Sequence, residues 1–583
     1  MPLRIRRRAA RADDTGLGAD LHAVLRRVYL GRGIASASEL SVSLERLLPV
    51  GSLEQAEAAA ELLERHRAGR VLVVGDFDAD GATSTALMVR NLTRWGFAHV
   101  DFLVPNRFEF GYGLTPEIVA LAATRSPSLI VTVDNGISSL AGVAAARERS
   151  IDVLVTDHHL PGATLPGANV IVNPNSPGAR FGSRCLAGVG VAFYVMAALH
   201  RRLLVGGVLA ADVPGPAESL DLVALGTIAD LVPLDANNRV LVAQGLRRIR
   251  AGRCVPGITA LLEVAQRRRE DLTAADLAFA VAPRLNAAGR LDDMSIGIRC
   301  LLAQDAVSAL ELAVRLDTLN QERRAIEAKM QTEALAAVRQ LGAHADASAR
   351  SGHRHGLCLF HESWHQGVVG LVASRVKDKT GRPVIAFARA GDGMLRGSAR
   401  SVSSVHIRDA LDTVAARHPD LISRFGGHAM AAGLTLAADK LDAFADAFDL
   451  EVARRADASA EASCVETDGE LAIAEIALET AAALRAGGPW GQGFPEPTFD
   501  GVFSIRSARV VGERHLKLWV EYPHSGRTFD AIAFNHVDPA AGAFTAPSGE
   551  QHLVYRLDVN EYQGERRLQL LVDHVLPAAG DGS

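Results

Sequence analysis

The stretch "RVLVVGDFDADG", residues 70–81, places a run of aliphatic residues directly before three aspartates at alternate positions. The run is typical of a buried strand, and Asp76, Asp78 and Asp80 follow its carboxyl end. A calcium-binding EF-hand loop begins with the same aspartate pattern, but it requires a preceding helix and a glutamate at its twelfth position. Here a strand pattern comes first and the twelfth position is Leu87. The stretch therefore predicts carboxylates gathered at the end of a sheet strand.

The segments that follow alternate short apolar runs with helical patterns, as in "SLIVTVDNG" and "DVLVTDHH". Such alternation predicts a doubly wound parallel sheet, in which binding sites form beyond the carboxyl ends of the strands. Asp134 ends one apolar run, and Asp157, His158 and His159 end the next. Together with the first aspartates, three separate strands are therefore expected to deliver acids or imidazoles to one edge of the sheet.

This set of side chains suits divalent cations. Mg²⁺ and Mn²⁺ prefer carboxylate oxygens, and imidazole suits Mn²⁺ as well. Asp230, in a small loop before "LVPL", adds one more carboxylate. Two ions about 3.5 to 4 Å apart can share a carboxylate and stabilise both oxygens of a phosphoryl transfer. Each residue alone would be interpreted as a cap, a turn residue or a structural histidine, but independent caps have no reason to share one edge.

The composition of the chain limits its class. A hydrophobic content of 48% over 583 residues supports several packed cores and excludes a disordered protein. The net charge of −5 argues against a protein that coats nucleic acid through its bulk charge. The five cysteines form no C-x-x-C pair, so a disulfide framework and a thiolate zinc site are not indicated, and a cytoplasmic location is expected. The sequence contains no run of about 18 consecutive apolar residues, so no membrane span is predicted. The start, "MPLRIRRRAARADD", is interpreted as a frayed basic tail.

Changes of pattern along the chain predict its domains. A helical pattern around residues 305–341 precedes the polar stretch "GAHADASARSGHRHG", which is typical of a linker. A second α/β pattern follows, and beyond about residue 460 short strands and turns indicate a small closed β-barrel of OB type. The predicted segments are an N-terminal extension (1–45), an α/β domain with the carboxylates (46–300), a helical connector (301–345), a smaller α/β domain (346–458) and the barrel (459–577).

The motifs resemble a known family. "GDFDADG", "VTVDNG", "VTDHH" and "GTIADLVPL" are similar, in this order, to the four motifs of the DHH phosphoesterase superfamily. "APRLNAAGRL", "WHQGVVG", "GSARS", "FGGHAMAAG", "GPWGQGFPEP" and "VGERHLK" extend the resemblance to single-strand-specific exonucleases of that superfamily, from about residue 45 to 575. The resemblance implies a DHH domain, a DHH-associated domain joined to it by a long helix, and a C-terminal OB-fold domain that binds nucleic acid.

The resemblance also implies an activity. The chain is expected to be a metal-dependent exonuclease that hydrolyses single-stranded DNA from 5′ to 3′ into 5′-mononucleotides, in DNA repair and recombination. Mg²⁺ or Mn²⁺, as two ions, would be its cofactor. It would act as a monomer alongside a RecQ-type helicase and a single-strand-binding protein, without a membrane.

The site residues are carried over by the same resemblance. One metal ion is expected on Asp80, Asp134, His158 and Asp230, and the other on Asp78 and Asp134 with help from Asp76. His159 would face the substrate phosphate or the nucleophile, so the expected catalytic residues are Asp78, Asp80, Asp134, His158, His159 and Asp230. Simpler members of the superfamily carry a histidine four residues before Asp78, where this chain has Val74. Asp76 is expected to supply the missing ligand, with weaker binding of the second ion.

The resemblance implies most of the residues that would hold the strand, and the stretch "NRFEFGYG" adds Arg107 for phosphate and Tyr112 for base stacking. Guanidinium groups and a hydroxyl can bind phosphate oxygens, and an aromatic ring can stack on a base without reading sequence. The expected substrate-binding residues are Arg107, Tyr112, Arg284, Asn286, Arg290, Ser398, Arg400 and His428.

The sequence is compatible with three other interpretations. The same metal site in a phosphodiesterase would act on pyrophosphate, short oligonucleotides or cyclic dinucleotides, although a barrel platform offers little to a small substrate. A repair scaffold that has lost catalysis is disfavoured by the complete acidic set. A dinucleotide-dependent dehydrogenase is disfavoured because "AGVGVAF" contains Gly188 and Gly190 but lacks the third glycine of the fingerprint and follows no clear strand.

Overall fold

The computed structural model describes residues 3–9, 16–18, 20–105, 113–345, 354–456, 464–537, 544–562 and 564–578. These residues form two compact units. The larger unit contains Leu3–Asn286, Asp293–Val314 and Cys464–Ser583, and the smaller is built mainly from Ala287–Asp292 and Arg315–Ser463.

A five-stranded parallel sheet forms the centre of the first α/β region. The elements up to its last strand are β1 (Arg4–Arg7), α1 (Ala23–Gly31), α2 (Ala56–Arg65), β2 (Arg70–Gly75), α3 (Ala79–Arg94), β3 (His99–Leu103), α4 (Pro116–Ala123), β4 (Leu129–Val133), α5 (Leu140–Glu148), β5 (Asp152–Thr156) and β6 (Val170–Val172). The strand order is β3-β2-β4-β5-β6, and every neighbouring pair is parallel. All residues of β4 are buried, as expected of a strand covered on both faces. The predicted doubly wound sheet is confirmed.

A helical region follows this sheet. Its helices are α6 (Gly188–Val205), α7 (Leu220–Ala229), α8 (Ala236–Arg250), α9 (Pro256–Val264), α10 (Ala274–Asp276), α11 (Ala282–Leu291), α12 (Ser295–Leu302) and the 40-residue α13 (Ala306–Ala345), with a π-helical turn at Leu277–Val281. By length and composition α6 is apolar enough to cross a membrane, yet 67% of it is buried inside the protein. This burial is that of a core helix, and α6 packs against α3 and α7. Long helix α13 runs from the larger unit into the smaller one.

The smaller unit contains a second, mixed sheet. Its elements are β7 (Leu357–Phe360), α14 (Val369–Thr380), β8 (Val384–Arg389), β9 (Met394–Arg400), α15 (Ile407–Arg417), β10 (Arg424–Gly427), β11 (Ala431–Ala437) and α16 (Leu441–Ala456), with strand order β10-β11-β9-β8-β7. Only the β7–β8 pair is parallel among these described strands. Phe387, Phe444 and Phe448 meet in its core, with ring centroids 5.9 and 6.0 Å apart. The predicted smaller α/β domain is confirmed in fold.

The C-terminal region forms the predicted closed barrel. Its elements are β12 (Cys464–Thr467), α17 (Leu478–Ala486), β13 (Phe499–Val511), β14 (His515–Glu521), β15 (Thr528–Ala533), β16 (Gly549–Tyr562) and β17 (Glu565–Pro577). The barrel closes in the order β13-β14-β15-β17-β16. A register shift between Ile505 and Ser507 bends β13, as bulges do in closed sheets. Phe499, Phe503 and Tyr555 fill the interior.

The N-terminal arginines contradict the prediction of a frayed tail. Arg4–Arg7 form β1, which pairs in parallel with β12. Arg7 donates to the buried carboxylate of Asp500 on β13, with Nη2 2.7 Å from Oδ2. Thr467 Oγ1 donates to the same carboxylate at 2.6 Å, and His552 Nε2 lies 3.0 Å from it. The prediction was wrong because the buried acid that receives Arg7 lies almost 500 positions away in the sequence.

Asp500→Asn is expected to destabilise the barrel in a pH-dependent way. Burial raises the pKa of Asp500, but hydrogen bonds from Arg7, Thr467 and His552 outweigh burial and hold it below its ordinary value. The carboxylate therefore contributes stability that is present above the unfolded-state pKa of about 3.9 and is lost as pH falls through the folded-state pKa. We expect a loss of about 3 kcal/mol at neutral pH that shrinks below about pH 4.

Calorimetric unfolding from neutral pH to below about pH 4 measures the free energy of unfolding of the wild type and of Asp500→Asn. Asp573→Asn, which removes an acid of the part-exposed pair with Arg556, is the matched control and should change stability by less than about 1 kcal/mol. A stability difference for Asp500→Asn that does not vary with pH would contradict the charge-based explanation.

Candidate metal centre

The strand register of the parallel sheet places three acids side by side. Gly75 lies opposite Val133, and Val133 lies opposite Thr156. The next residues along the three strands are Asp76, Asp134 and Asp157, and all three are buried. The sheet edge therefore collects the carboxylates, as the alternation of the sequence predicts.

Helix α3 adds two more carboxylates to the same edge. Asp78 is the N-cap of α3, and its Oδ1 accepts a hydrogen bond from Gly81 N at 2.9 Å. Asp80 lies in the first turn of α3 and accepts from the first two amides of α6, Gly188 N at 2.6 Å and Val189 N at 2.9 Å. The three alternating aspartates therefore occupy the position directly after β2 (Asp76), the N-cap of α3 (Asp78) and the first turn of α3 (Asp80).

His158 and Asp230 complete the cluster. His158 Nε2 lies 3.1 Å from Asp134 Oδ1 and 3.5 Å from Asp230 Oδ2. Asp230 is the C-cap of α7. Three groups of side chains each offer potential ligand atoms that lie within 4.8 Å of one another inside the group. The groups are Asp80, His158 and Asp230; Asp76, Asp78 and Asp134; and Asp134, His158 and His159. The structure thus brings together every residue predicted to be catalytic or metal-binding, and the role of each one stays a prediction.

The electrostatics of the cluster fit divalent cations. Burial, followed by repulsion from Asp78, raises the pKa of Asp80 to about 7. Burial and the neighbouring acids also raise the pKa values of Asp134 and Asp230 well above their ordinary range. Buried carboxylates that repel one another can all ionise only if positive charge lies between them. Carboxylate oxygens with one or two imidazoles are a donor set for Mg²⁺ or Mn²⁺.

Asp157 has a role that the sequence did not assign. Its Oδ1 lies 2.7 Å from Nδ1 of His159 and accepts from the backbone N–H groups of His158 and His159, while Oδ2 accepts from Ile137 N. Burial lowers the pKa of His159, but the hydrogen bond and charge of Asp157 outweigh it and raise the pKa to about 9. Asp157 therefore orients His159 and favours its protonated form. Its position directly before the two histidines is the signal that sequence reasoning left unused.

Asn135 is a second residue that sequence reasoning missed. Its Nδ2 donates to Val133 O at 2.9 Å and to Val74 O at 3.2 Å, across the ends of β4 and β2. This side chain holds the two strand ends that carry Asp76 and Asp134 at a constant spacing. The amide follows Asp134 directly in "VDNG", but only the strand pairing reveals its partners.

Asp157→Asn is expected to lower the pKa of His159. The substitution removes the carboxylate that contributes most to raising this pKa, so burial is then opposed only by the charges of Asp76 and Asp230 and the pKa should fall. Titration of ¹⁵N-labelled histidine in the metal-free chain measures the pKa of His159, which is expected to be about 9 in the wild type and lower in the variant. Asp152→Asn, which alters the distant pair with His66, is the control. An unchanged His159 titration in Asp157→Asn would contradict the assigned role of Asp157.

The predicted substrate-binding residues are spread over both units. Arg107 and Tyr112 lie outside the described residues. In the larger unit, Arg284 is buried and donates to Ala280 O, and Asn286 Oδ1 accepts from Ala79 N at 2.9 Å. Both side chains therefore make contacts within the protein, and their contact with substrate stays a prediction.

The other predicted substrate residues lie in the smaller unit. Ser398 and Arg400 share one face of β9 because they are two residues apart. A Cβ at Gly370, in the first turn of α14, would lie 3.1 Å from Arg400 Nη2 and 3.5 Å from Ser398 Oγ, so the start of α14 is close to both. A helix start, a guanidinium and a hydroxyl together suit a phosphate. Arg290 Nη1 donates to Gly367 O, and His428 is exposed after β10.

Family models match three parts of the chain. The model of the DHH family, N-terminal domain, matches residues 70–227, the DHHA1 domain matches residues 354–454, and the RecJ OB domain matches residues 467–574.

Curated proteins match almost the whole chain. It is 54% identical over 569 residues to the single-stranded-DNA-specific exonuclease RecJ of Dickeya dadantii, covering 97% of this chain and 98% of that protein. It is 52% identical over 583 residues to the protein of the same name from Escherichia coli, covering 99% and 100%.

Two solved structures share the fold over most of the chain. The crystal structure of RecJ in complex with Mn²⁺ from Thermus thermophilus matches with a TM-score of 0.80 and 30% identity, covering 99% of this chain and 80% of that one. The corresponding complex with Mg²⁺ matches with a TM-score of 0.75 and 28% identity, covering 99% and 79%.

Proposed function

This chain belongs to the RecJ family of single-stranded-DNA-specific exonucleases, and on that premise we propose how its metal centre acts. It is a metal-dependent exonuclease of single-stranded DNA. It removes nucleotides from the 5′ end and releases 5′-mononucleotides. The observation that carries this proposal is the convergence of five aspartates and two histidines at one sheet edge, in groups whose ligand atoms lie within 4.8 Å of one another.

The residues of the cluster have different proposed roles in metal binding and in phosphate binding. Two ions, Mg²⁺ or Mn²⁺, would be held by Asp80, His158 and Asp230 and by Asp76, Asp78 and Asp134, where they supply charge neutralisation and activation of water. Asp134 belongs to the second group and lies 3.1 Å from His158 of the first, and this proximity supports the proposal that it serves both ions. His159, oriented by Asp157, would donate a hydrogen bond to a phosphate oxygen.

The rest of the chain holds the strand. In the smaller unit, Ser398, Arg400 and the start of α14 would bind a phosphate of the strand. The barrel offers exposed aromatic side chains, with Trp519 46% exposed on β14 and Phe534 57% exposed after β15. Bases of any identity stack on such rings, which suits binding without sequence preference.

A strict single-strand requirement implies partners. A duplex must be unwound before its 5′ strand can be cut, so we propose that a RecQ-type helicase and a single-strand-binding protein act with this chain in DNA repair and recombination. The chain acts as a monomer in the cytoplasm, where its DNA substrate is found. The closed barrel argues against the alternative of a phosphodiesterase for short oligonucleotides or cyclic dinucleotides, since these substrates do not extend beyond the metal centre.

Digestion of one oligonucleotide labelled at either end tests the proposal. With Mg²⁺ or Mn²⁺, a 5′-labelled single strand should release a labelled mononucleotide at once, while a 3′-labelled strand should shorten progressively. The blunt duplex of the same sequence and a dinucleotide should remain largely uncut. Immediate release of the 3′ label would overturn the direction, and preferred cleavage of the dinucleotide would favour the alternative.

A further inference from the structure

We propose that Gly188 is a positioning residue that sets the spacing between Asp80 and Asp134, and thereby the metal preference of the centre. The inference rests on the proposed metal-dependent function. Gly188 belongs to "AGVGVAF", the motif that resembles part of a dinucleotide fingerprint. In this chain α6 begins at Gly188, and the start of the helix contacts the carboxylate of Asp80 instead of a pyrophosphate.

The first amides of α6 hold both oxygens of Asp80. Gly188 N donates to Oδ2 at 2.6 Å and Val189 N donates to Oδ1 at 2.9 Å. Each carboxylate oxygen has two lone pairs, so one on each oxygen remains for a cation. The partial positive charge of the helix start stabilises the buried anion. The orientation of Asp80 is therefore set by the position of α6.

Gly188 also lies in close contact with Asp134. A Cβ at Gly188 would lie 2.6 Å from Asp134 Cβ and 2.7 Å from its Oδ1, which is closer than real Cβ atoms approach. Asp134 has little freedom to move away, because its φ is 61° and its N–H is bonded to Thr156 O at 3.0 Å. A second close approach comes from α7, where a Cβ at Gly226 would lie 2.9 Å from Asp80 Oδ1.

Any side chain at position 188 must therefore change the site. It must either displace Asp134 or push the start of α6 away from Asp80, and both movements change the distance between two expected ligands. Mg²⁺ is small and demands near-ideal octahedral geometry, whereas the larger Mn²⁺ tolerates longer and less regular ligand distances and accepts imidazole as well as carboxylate. A distorted site should therefore lose Mg²⁺ before it loses Mn²⁺.

Gly188→Ala tests the inference through metal binding. Calorimetric titration of the metal-free chain with MgCl₂ and with MnCl₂ should show binding weakened by about 10- to 100-fold for Mg²⁺ and clearly less for Mn²⁺. The Mn²⁺ electron paramagnetic resonance spectrum of the bound ion should change as well. Thermal unfolding of the metal-free chain reports whether the fold survives.

Gly190→Ala is the matched control. It lies on the same helix, and the atoms nearest to its Cβ would all belong to the side chain of Leu186, the closest at 3.0 Å. We expect both metal affinities to stay within about twofold of the wild type. If Gly188→Ala melts below the wild type, the titrations are made well below its unfolding transition, where the chain is folded and the ratio of the two affinities still reports on the site.

The outcomes separate this inference from the proposed function. Wild-type affinities and an unchanged Mg²⁺ to Mn²⁺ ratio in the folded variant would overturn the role of Gly188 and leave the nuclease assignment intact. A wild-type chain that binds both ions but cuts no strand would overturn the function, while a shifted ratio in Gly188→Ala would still support the role of Gly188.

Discussion

Asp134→Asn is expected to lower the rate of strand cleavage by about a thousandfold or more, without destabilising the metal-free chain. A shared carboxylate in a two-metal site contributes several kcal/mol to stabilisation of the transition state, and about 1.4 kcal/mol corresponds to tenfold in rate. Burial and the surrounding acids already raise the pKa of Asp134 strongly, so removing its charge relieves repulsion. Asparagine keeps the size of the side chain and tolerates the positive φ of 61° at this position.

Single-turnover cleavage of a 5′-labelled strand and thermal unfolding of the metal-free chain measure the two effects. Asp101→Asn is the matched control, because this acid lies on β3 of the same sheet and pairs with Arg125 at the surface. It should cleave at the wild-type rate. Near-normal cleavage by Asp134→Asn with Mn²⁺ would contradict the assignment of Asp134 as the shared ligand.

Removal of divalent cations is expected to stop cleavage and to lower the stability of the larger unit. A chelator removes the charge that offsets the repulsion among Asp80, Asp134 and Asp230, whose pKa values burial and neighbouring acids raise. Ions that bind only the folded chain stabilise it by about 2.7 kcal/mol at a hundredfold excess over Kd. The melting temperature should therefore rise with added Mn²⁺ in the wild type, and rise much less in Asp134→Asn.

Paired measurements of cleavage and unfolding test this expectation. The chain is treated with a chelator, and each ion is then restored in turn. Ca²⁺, which prefers more ligands at longer distances, is the control and should restore stability better than it restores cleavage. Full cleavage in the presence of excess chelator would contradict a metal-dependent mechanism.

Much of the fold could be predicted because its signals are local. Aliphatic runs such as Val71 to Val74 indicate buried strands, and their alternation with helical patterns indicates a parallel sheet. Parallel strands share one carboxyl edge, so the positions of Asp76, Asp134 and His158 in the sequence already placed them together. The barrel was predicted for the same reason, from short alternating strands and turns.

Other contacts could not be predicted because their partners are far apart in the chain. Arg7 reaches Asp500, and Asn286 caps the helix that begins at Ala79. No periodicity or spacing within either segment reveals the other. The interpretation of the N-terminal arginines as a frayed tail failed for this reason.

The amino-acid sequence alone determined the fold class, the acidic set and the family, because strand patterns and ordered motifs are properties of neighbouring residues. Only the tertiary structure decided that Asp157 orients His159 and that α6 presents its first amides to Asp80. These relations depend on distances of a few ångströms between separate elements, which packing sets and sequence spacing does not. Gly188 illustrates the difference: its sequence motif is only an incomplete nucleotide fingerprint and assigns it no role, whereas in the folded chain it lies against two carboxylates, Asp80 and Asp134.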